Sequence, residues 1–316
     1  LPFVISCNNP PTQDSNPEKE LGPVKNSIKS TNDHLVSKGN SLVAFRGALL
    51  IDGHGGEPLP NACVVVKDNL ILSVGKEGDV DIPEGATIIE AKGMTLLPGL
   101  IDAHYHNGEN INMQNKVLNL GVTSVRDPGA WMQFYQEAMA SGEEIPRLFL
   151  TGPHLDTYPP AYPHNSYLVN DAEEGRLAVN LFADQGATAI KVYFGLPIGT
   201  IKGICEAAHE RGIPVTGHLE IAHAMDAINA GLDGIEHITS FGTVLLPMQE
   251  TQQYKQLVIK NRENRERGRY KAWNSLDLEE NFMADSLIQF LADKQTFVCP
   301  TLAIFEKQIE EEKGTV

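Results

Sequence analysis

From residue 96 to residue 302, apolar runs of strand length alternate with longer stretches of helical periodicity. The strand-like runs are "TLLPGLIDAH", "TSVRD" (123–127), "RLFLTG" (147–152), "TAIKVY" (188–193), "PVTGH" (214–218), "GIEHI" (234–238) and "FVCPTL" (297–302). Helical patterns lie between them, such as "AEEGRLAVNLFADQG" and "IKGICEAAHERG", the latter stopped by Gly212 in the manner of a helix C-cap. Strands apolar along their whole length are buried on both faces, as in a parallel sheet covered by helices. Seven strands are visible, and a (β/α)8 TIM barrel has eight. The expectation is an α/β chain with such a barrel over 96–316, strand eight missing and the C-terminal part truncated. The stretch 242–295 exceeds a simple connection and should carry extra helices near the barrel mouth.

Upstream, residues 41–95 hold short β-rich runs between turn signals, "ACVVVKDNLILSVG" and "DIPEGATIIEAKG", with too little chain for helices. They predict a small β module, a β-sandwich domain built from N-terminal strands. Residues 8–40 are rich in Pro, Asn, Ser, Lys and Glu without apolar periodicity and read as a flexible tether. The stub "LPFVIS" before Cys7 resembles the tail of a bacterial lipoprotein signal peptide. It suggests a lipid anchor through Cys7 and a place in the cell envelope, periplasmic or surface; a frayed terminus on a cytoplasmic protein is the alternative. No apolar run approaches the ~18 residues of a transmembrane helix.

Charge excludes one class of partner. With 25 Lys plus Arg against 41 Asp plus Glu, the net charge is −16, and such a chain is repelled by phosphate backbones. The basic stretch "NRENRERGRYK" (261–271) is interrupted by acids and reads as a solvated helix face.

In barrels of this kind, functional side chains gather at the C-terminal strand ends. Those positions hold His104 and His106 on strand one, Lys191 on strand four, His218 on strand five and His237 on strand six. One strand-end histidine alone is more often a hydrogen-bonded core residue. Five such groups around one axis are what a metal site needs. In an extended strand residues i and i+2 share a side, so His104 and His106 face inward together and can clasp one divalent ion. Lys191 lies in an apolar strand, where an unpartnered ammonium would cost several kcal/mol.

"TLLPGLIDAHYH", a preceding β module, Lys191, His218 and His237 together resemble the amidohydrolase superfamily, over roughly residues 42–302. The resemblance implies the metallo-dependent hydrolase type of barrel. It assigns His104 and His106 to a first metal, Lys191 as a carbon dioxide-derived carbamate to the bridge, and His218 and His237 to a second metal. Two divalent ions, most simply Zn2+, would share a hydroxide that attacks an amide carbonyl. Lys191 and His237 are then catalytic, together with a strand-eight aspartate that has no counterpart here. On that expectation these 316 residues alone are inactive.

"GVTSVRDPGA", "ATAIKVYFG" and "CPTLAIFE" resemble the branch with imidazolonepropionase-like and Xaa-Pro dipeptidase-like members. Dipeptidase-like members keep the strand-four lysine, so Lys191 points to hydrolysis of a dipeptide or N-acyl amino acid. The alternatives are a mononuclear cyclic-amide hydrolase or deaminase, and a non-catalytic surface-anchored binding protein. His154, Tyr158 and Tyr193 are candidates for substrate contact. Whether the protein is a homo-oligomer is left open.

Overall fold

The structure, a computed structural model, describes residues 29–35, 41–107, 110–261, 273, 276 and 281–304. The stub with Cys7 and nearly all of the basic stretch 261–271 lie outside the described residues.

The first unit is a sheet of β1 (Leu42–Leu50), β2 (Leu59–Lys67), β3 (Leu70–Lys76), β4 (Thr87–Glu90) and β5 (Thr95–Leu96). Its order is β3-β2-β1-β4, with β5 on β1. Ala44, Cys63 and Val65 form its small core with Leu42, Val80 and Ile82. Among the described residues these strands form one sheet rather than the two of a sandwich.

The run "TLLPGLIDAH", expected as one strand, is divided. β5 pairs with Leu49–Leu50 of the module, while β6 (Leu100–Asp102) starts the second unit beside β7 (Val122–Asp127). Pro98 lacks the N–H that would continue a ladder. Gly99 lies so close to Thr123 that an added Cβ would come within 2.2 Å of its hydroxyl oxygen.

The remaining elements are α1 (Ile111–Asn119), α2 (Gln136–Ala140), β8 (Arg147–Leu150), β9 (His154–Asp156), β10 (Ser166–Leu168), α3 (Ala172–Asp184), β11 (Ile190–Val192) and α4 (Ile198–Glu210). They continue with β12 (Val215–Gly217), α5 (Ala224–Asn229), β13 (Gly234–Glu236), α6 (Gly242–Leu245), α7 (Met248–Lys260), α8 (Phe282–Lys294) and β14 (Phe297–Cys299). Side-chain caps start several helices. Asp171 accepts from the backbone N–H of Glu173 and Glu174, and Asn281 from Met283 and Ala284, satisfying donors the helix leaves open. Gly212 at φ +71° follows α4 as expected.

All strands of this unit are parallel, in two sheets of order β6-β7-β8 and β10-β9-β11-β12-β13-β14. Strand three of the sequence reading (147–152) holds β8, which pairs with β7, and a further short strand, β9, follows it and pairs with β11. The Thr188 N–H still donates to the Leu150 carbonyl at 2.8 Å, joining the two sheets. One core covers both, with Val125, Leu148, Leu150, Ile190, Val192, Val215 and Ile235 from strands facing Val179, Phe182, Ile201 and Ile204 from helices. Each such side chain contributes roughly 1.5–3 kcal/mol by leaving water. Apart from β10, which lies outside β9, the strand order follows the sequence, and helices α6, α7 and α8 lie in the long stretch before β14 as expected. Among the described residues no helix is long and apolar enough to cross a membrane.

The tether expectation needs correction at its end. Residues 29–35 dock on the start of β8. The Thr31 N–H donates to Leu148, the Asn32 side-chain amide donates to the Pro146 carbonyl at 3.0 Å, and its oxygen accepts from the Leu148 N–H at 2.9 Å. Asn32 is buried and acts as a surrogate peptide unit on an edge that β11 does not reach. Composition cannot show this, because one side-chain amide does the anchoring. Replacing Asn32 by alanine should lower unfolding stability by about 1–3 kcal/mol by stranding a buried N–H and carbonyl. Chemical denaturation would show it as a lower midpoint with an unchanged slope.

Candidate metal centre

The C-terminal strand ends open into one cavity of about 680 Å³. His104, His106, Lys191, His218 and His237 all line it, as do His154 and Tyr193. Lys191 lies inside β11, whereas His218 and His237 each stand one residue beyond β12 and β13. His104 and His106 follow the end of β6, and an Asp102 carboxylate oxygen accepting from the His104 N–H at 3.1 Å shapes that turn. Ring centroids are 5.1 Å apart for His104 and His106, 4.6 Å for His104 and His237, and 4.4 Å for His218 and His237.

Each imidazole has a neighbour that fixes which nitrogen faces inward. His104 Nδ1 lies 2.6 Å from the Glu236 carboxylate, which can only accept, so Nδ1 carries the proton and Nε2 keeps its lone pair. The Thr301 hydroxyl donates to the Pro300 carbonyl at 2.8 Å, so it accepts from His237 Nδ1 at 2.7 Å and again leaves Nε2. His106 Nδ1 stands 3.4 Å from Asp127. His218 is reversed: its Nε2 faces Glu220 at 3.0 Å, so Nδ1 is the nitrogen it could offer a metal. Carboxylates and hydroxyls on the outer nitrogen of ligating histidines are the usual supporting arrangement of a metal site.

The electrostatics agree. Burial lowers His104 to about 4, only partly opposed by its bond to Glu236. Burial first, and then the neighbouring His218 and Lys191, hold His237 well below the ordinary imidazole range. These rings are neutral at pH 7, as a ligand must be. Lys191 is buried, and desolvation lowers it to about 8 against the opposing pull of Glu236. Burial alone would raise the Glu236 carboxyl, but Lys191, the His104 bond and Arg126 outweigh it and hold the group well below the usual carboxylate range. The His237 backbone sits at φ +63°, a strained conformation for a residue with a side chain and one concentrated at functional sites. Four imidazoles around one cavity, two of them held neutral by burial, beside a buried lysine whose pKa is lowered to about 8, are a donor set that fits divalent metal.

Several of these supports escaped the sequence reading. Glu236 lies in β13, Thr216 in β12 and Arg126 in β7. The Thr216 hydroxyl donates to Glu236 at 2.6 Å, and an Arg126 guanidinium nitrogen lies 2.5 Å from the same carboxylate. Charged residues inside the apolar runs "GIEHI" and "TSVRD" were the available signal, since a buried charge needs a partner. Asp127 accepts from the Gly129 N–H at 3.0 Å and from the Tyr135 hydroxyl. Gly129 has no substitute here, because a Cβ would fall 2.1 Å from the His154 ring.

Of the three substrate-contact candidates, His154 and Tyr193 stack with centroids 4.5 Å apart in the cavity wall. Tyr158 does not join them. It is 79% exposed and outside the cavity lining, and Tyr162 takes the place beside His154. The buried Asp156 carboxylate accepts from the N–H groups of Thr157, Ala161 and Gly195 and folds the loop so that Tyr158 faces outward. Cys299, the last residue of β14, also lines the cavity.

No protein-family model matches the chain. Ochratoxinase of Aspergillus niger is 26% identical over 257 aligned residues, covering 60% of this chain and 53% of the relative. Its solved structure superposes with a TM-score of 0.58 at 21% identity, over 87% of this chain and 80% of that one. N-acyl-D-aspartate deacylase of Alcaligenes xylosoxydans is 32% identical over 100 residues, 31% of this chain and 19% of the relative. A Xaa-Pro dipeptidase crystallised with methionine in its active site superposes with a TM-score of 0.58 at 22% identity, covering 86% of this chain and 70% of that one. The chain spans about half, or less, of the curated relatives it matches. In sequence and fold the chain is similar to these relatives, and its donor set fits the amidohydrolase resemblance of the sequence.

Proposed function

We propose that the protein is a metal-dependent hydrolase that cleaves the amide bond of a dipeptide or N-acyl amino acid. The observation that carries this reading is the meeting of His104, His106, His218, His237 and Lys191 in one cavity. On this reading the fold is a (β/α)8 barrel in which His104 and His106 would hold one zinc ion, His218 and His237 would hold a second, and Lys191, as a carbamate, would be a further ligand. A divalent ion bound there supplies Lewis acidity toward the amide carbonyl and an activated water near neutral pH.

The chain's own residues do the rest. Burial favours the neutral amine of Lys191, the form that reacts with carbon dioxide. Glu236 orients His104, and Thr301 orients His237. His154, held neutral by burial and the nearby cations, stacks on Tyr193 and offers with it a polar wall for the substrate's carbonyl or carboxylate end. The stub before Cys7 supports a lipid-anchored place in a bacterial envelope.

Elemental analysis of the protein purified without chelators tests the reading. Two zinc ions per chain, with a carbamate signal in carbon-13 NMR after growth with labelled bicarbonate, is the expected result. One metal and an unmodified lysine would shift the assignment to a mononuclear ring hydrolase or deaminase, and no metal would leave only a binding role.

A further inference from the structure

Two side chains outside the five candidate ligands bear on one of them. Glu220 follows His218 by two residues, and its carboxylate is fully buried. One of its oxygens faces His218 Nε2 at 3.0 Å, and the other accepts from the Tyr254 hydroxyl. Tyr254 comes from α7, in the long stretch between β13 and β14. With Val258 it packs α7 against Tyr193 and Phe194 at the end of β11. The backbone between His218 and Glu220 is pinned as well. The Leu219 N–H donates to the Ser240 hydroxyl at 3.0 Å, and that hydroxyl donates to the Glu236 carbonyl at 2.6 Å.

A buried carboxylate costs free energy unless donors surround it. Here it receives an imidazole N–H and a phenol O–H, and the consequence falls on His218. His104 and His237 are held at Nδ1 and point Nε2 inward, whereas His218 is held at Nε2 and can coordinate only through Nδ1. The shorter reach of Nδ1 from the backbone suits a residue at a strand end whose ring lies 4.4 Å from His237.

We propose that Glu220 and Tyr254 form a brace that selects the Nδ1-coordinating state of His218, with α7 present to deliver the phenol. Both are positioning residues for the metal centre, and the inference rests on the metal-hydrolase reading above. Tyr254 fixes the carboxylate plane, Glu220 fixes the ring proton, and His218 presents one nitrogen in one direction.

The test uses the full chain, with Glu220→Gln and Tyr254→Phe as variants. Zinc affinity is measured by competition with a chromophoric chelator, and cobalt is substituted to read the visible d–d spectrum. A glutamine can turn its amide N–H toward Nε2 and release the ring to the other tautomer, so Glu220→Gln should weaken zinc by about 10–100-fold. Tyr254→Phe leaves the carboxylate in place and should weaken it less, by up to about 10-fold. Both should alter the cobalt spectrum at saturating metal, whatever the lost donor or charge costs the thermal midpoint of the metal-free chain. A purely structural role would lower that midpoint and leave the spectrum of the folded protein unchanged, which overturns the brace. Wild-type affinity and spectrum in both variants overturn it too. A wild-type chain that holds no metal would instead refute the hydrolase reading, and the brace with it.

Discussion

Replacing His104 and His106 together with alanine should abolish tight metal binding and leave the fold in place. These rings are two of the four candidate imidazole ligands, and both follow the same strand. Losing a mere orienting partner costs a metal site about 10–100-fold in affinity, so losing two ligands should exceed 100-fold. Hydrolysis, where measured, should fall with it. The stability cost should be moderate, about 1–3 kcal/mol, because the His106 side chain is 52% exposed while loss of His104 removes one donor from the buried Glu236 carboxylate. Metal content after dialysis and the denaturation midpoint of the metal-free chain read the two effects separately. Retained stoichiometric zinc would place the centre elsewhere. A collapsed midpoint would show that the histidines hold the strand ends together rather than an ion.

The second large effect is expected at Glu236. Its carboxylate meets four groups at once: the Arg126 guanidinium at 2.5 Å, His104 at 2.6 Å, the Thr216 hydroxyl at 2.6 Å, and the field of Lys191. Truncation to alanine leaves two buried cations without this counter-charge. Breaking a buried ion pair from one side costs about 3–5 kcal/mol, because the remaining charge has lost both water and partner. Lys191 can relieve part of that strain by releasing its proton, since its pKa already lies near 8. Arg126 cannot, because a guanidinium stays charged in a protein. Glu236→Gln, which keeps the shape and an acceptor, should lose less. Equilibrium denaturation of both variants gives the ordering. A loss under about 1 kcal/mol in Glu236→Ala would mean that Asp127 takes over the counter-charge.

How far the sequence alone reaches differs by element. Strands such as "TSVRD" and "TAIKVY" were legible because burial on both faces demands continuous apolar side chains, and nothing else in a chain of this charge explains such runs. The candidate ligands were legible for a related reason. His104, His106, His218 and His237 interrupt apolar runs at strand ends, and Lys191 sits inside one, where polar groups persist only with partners. The division of strand one at Pro98 and Gly99, and the extra strand β9 after strand three, were not visible. Each depends on which neighbour a short segment pairs with.

Residue type and spacing thus determined the parallel α/β architecture, the strand order and the set of metal-binding candidates. The tertiary structure decided the rest. It brought Glu236, Thr301 and Glu220 from separate strand ends onto the outer nitrogens of three histidines, so that His104 and His237 present Nε2 and His218 presents Nδ1. It turned Tyr158 outward and seated Tyr162 in its place. It also made an anchor of Asn32, in a segment whose composition reads as a tether. The physical reason is common to all three. Burial within one element leaves a periodic trace in the sequence, whereas a hydrogen bond between residues far apart in the chain leaves none.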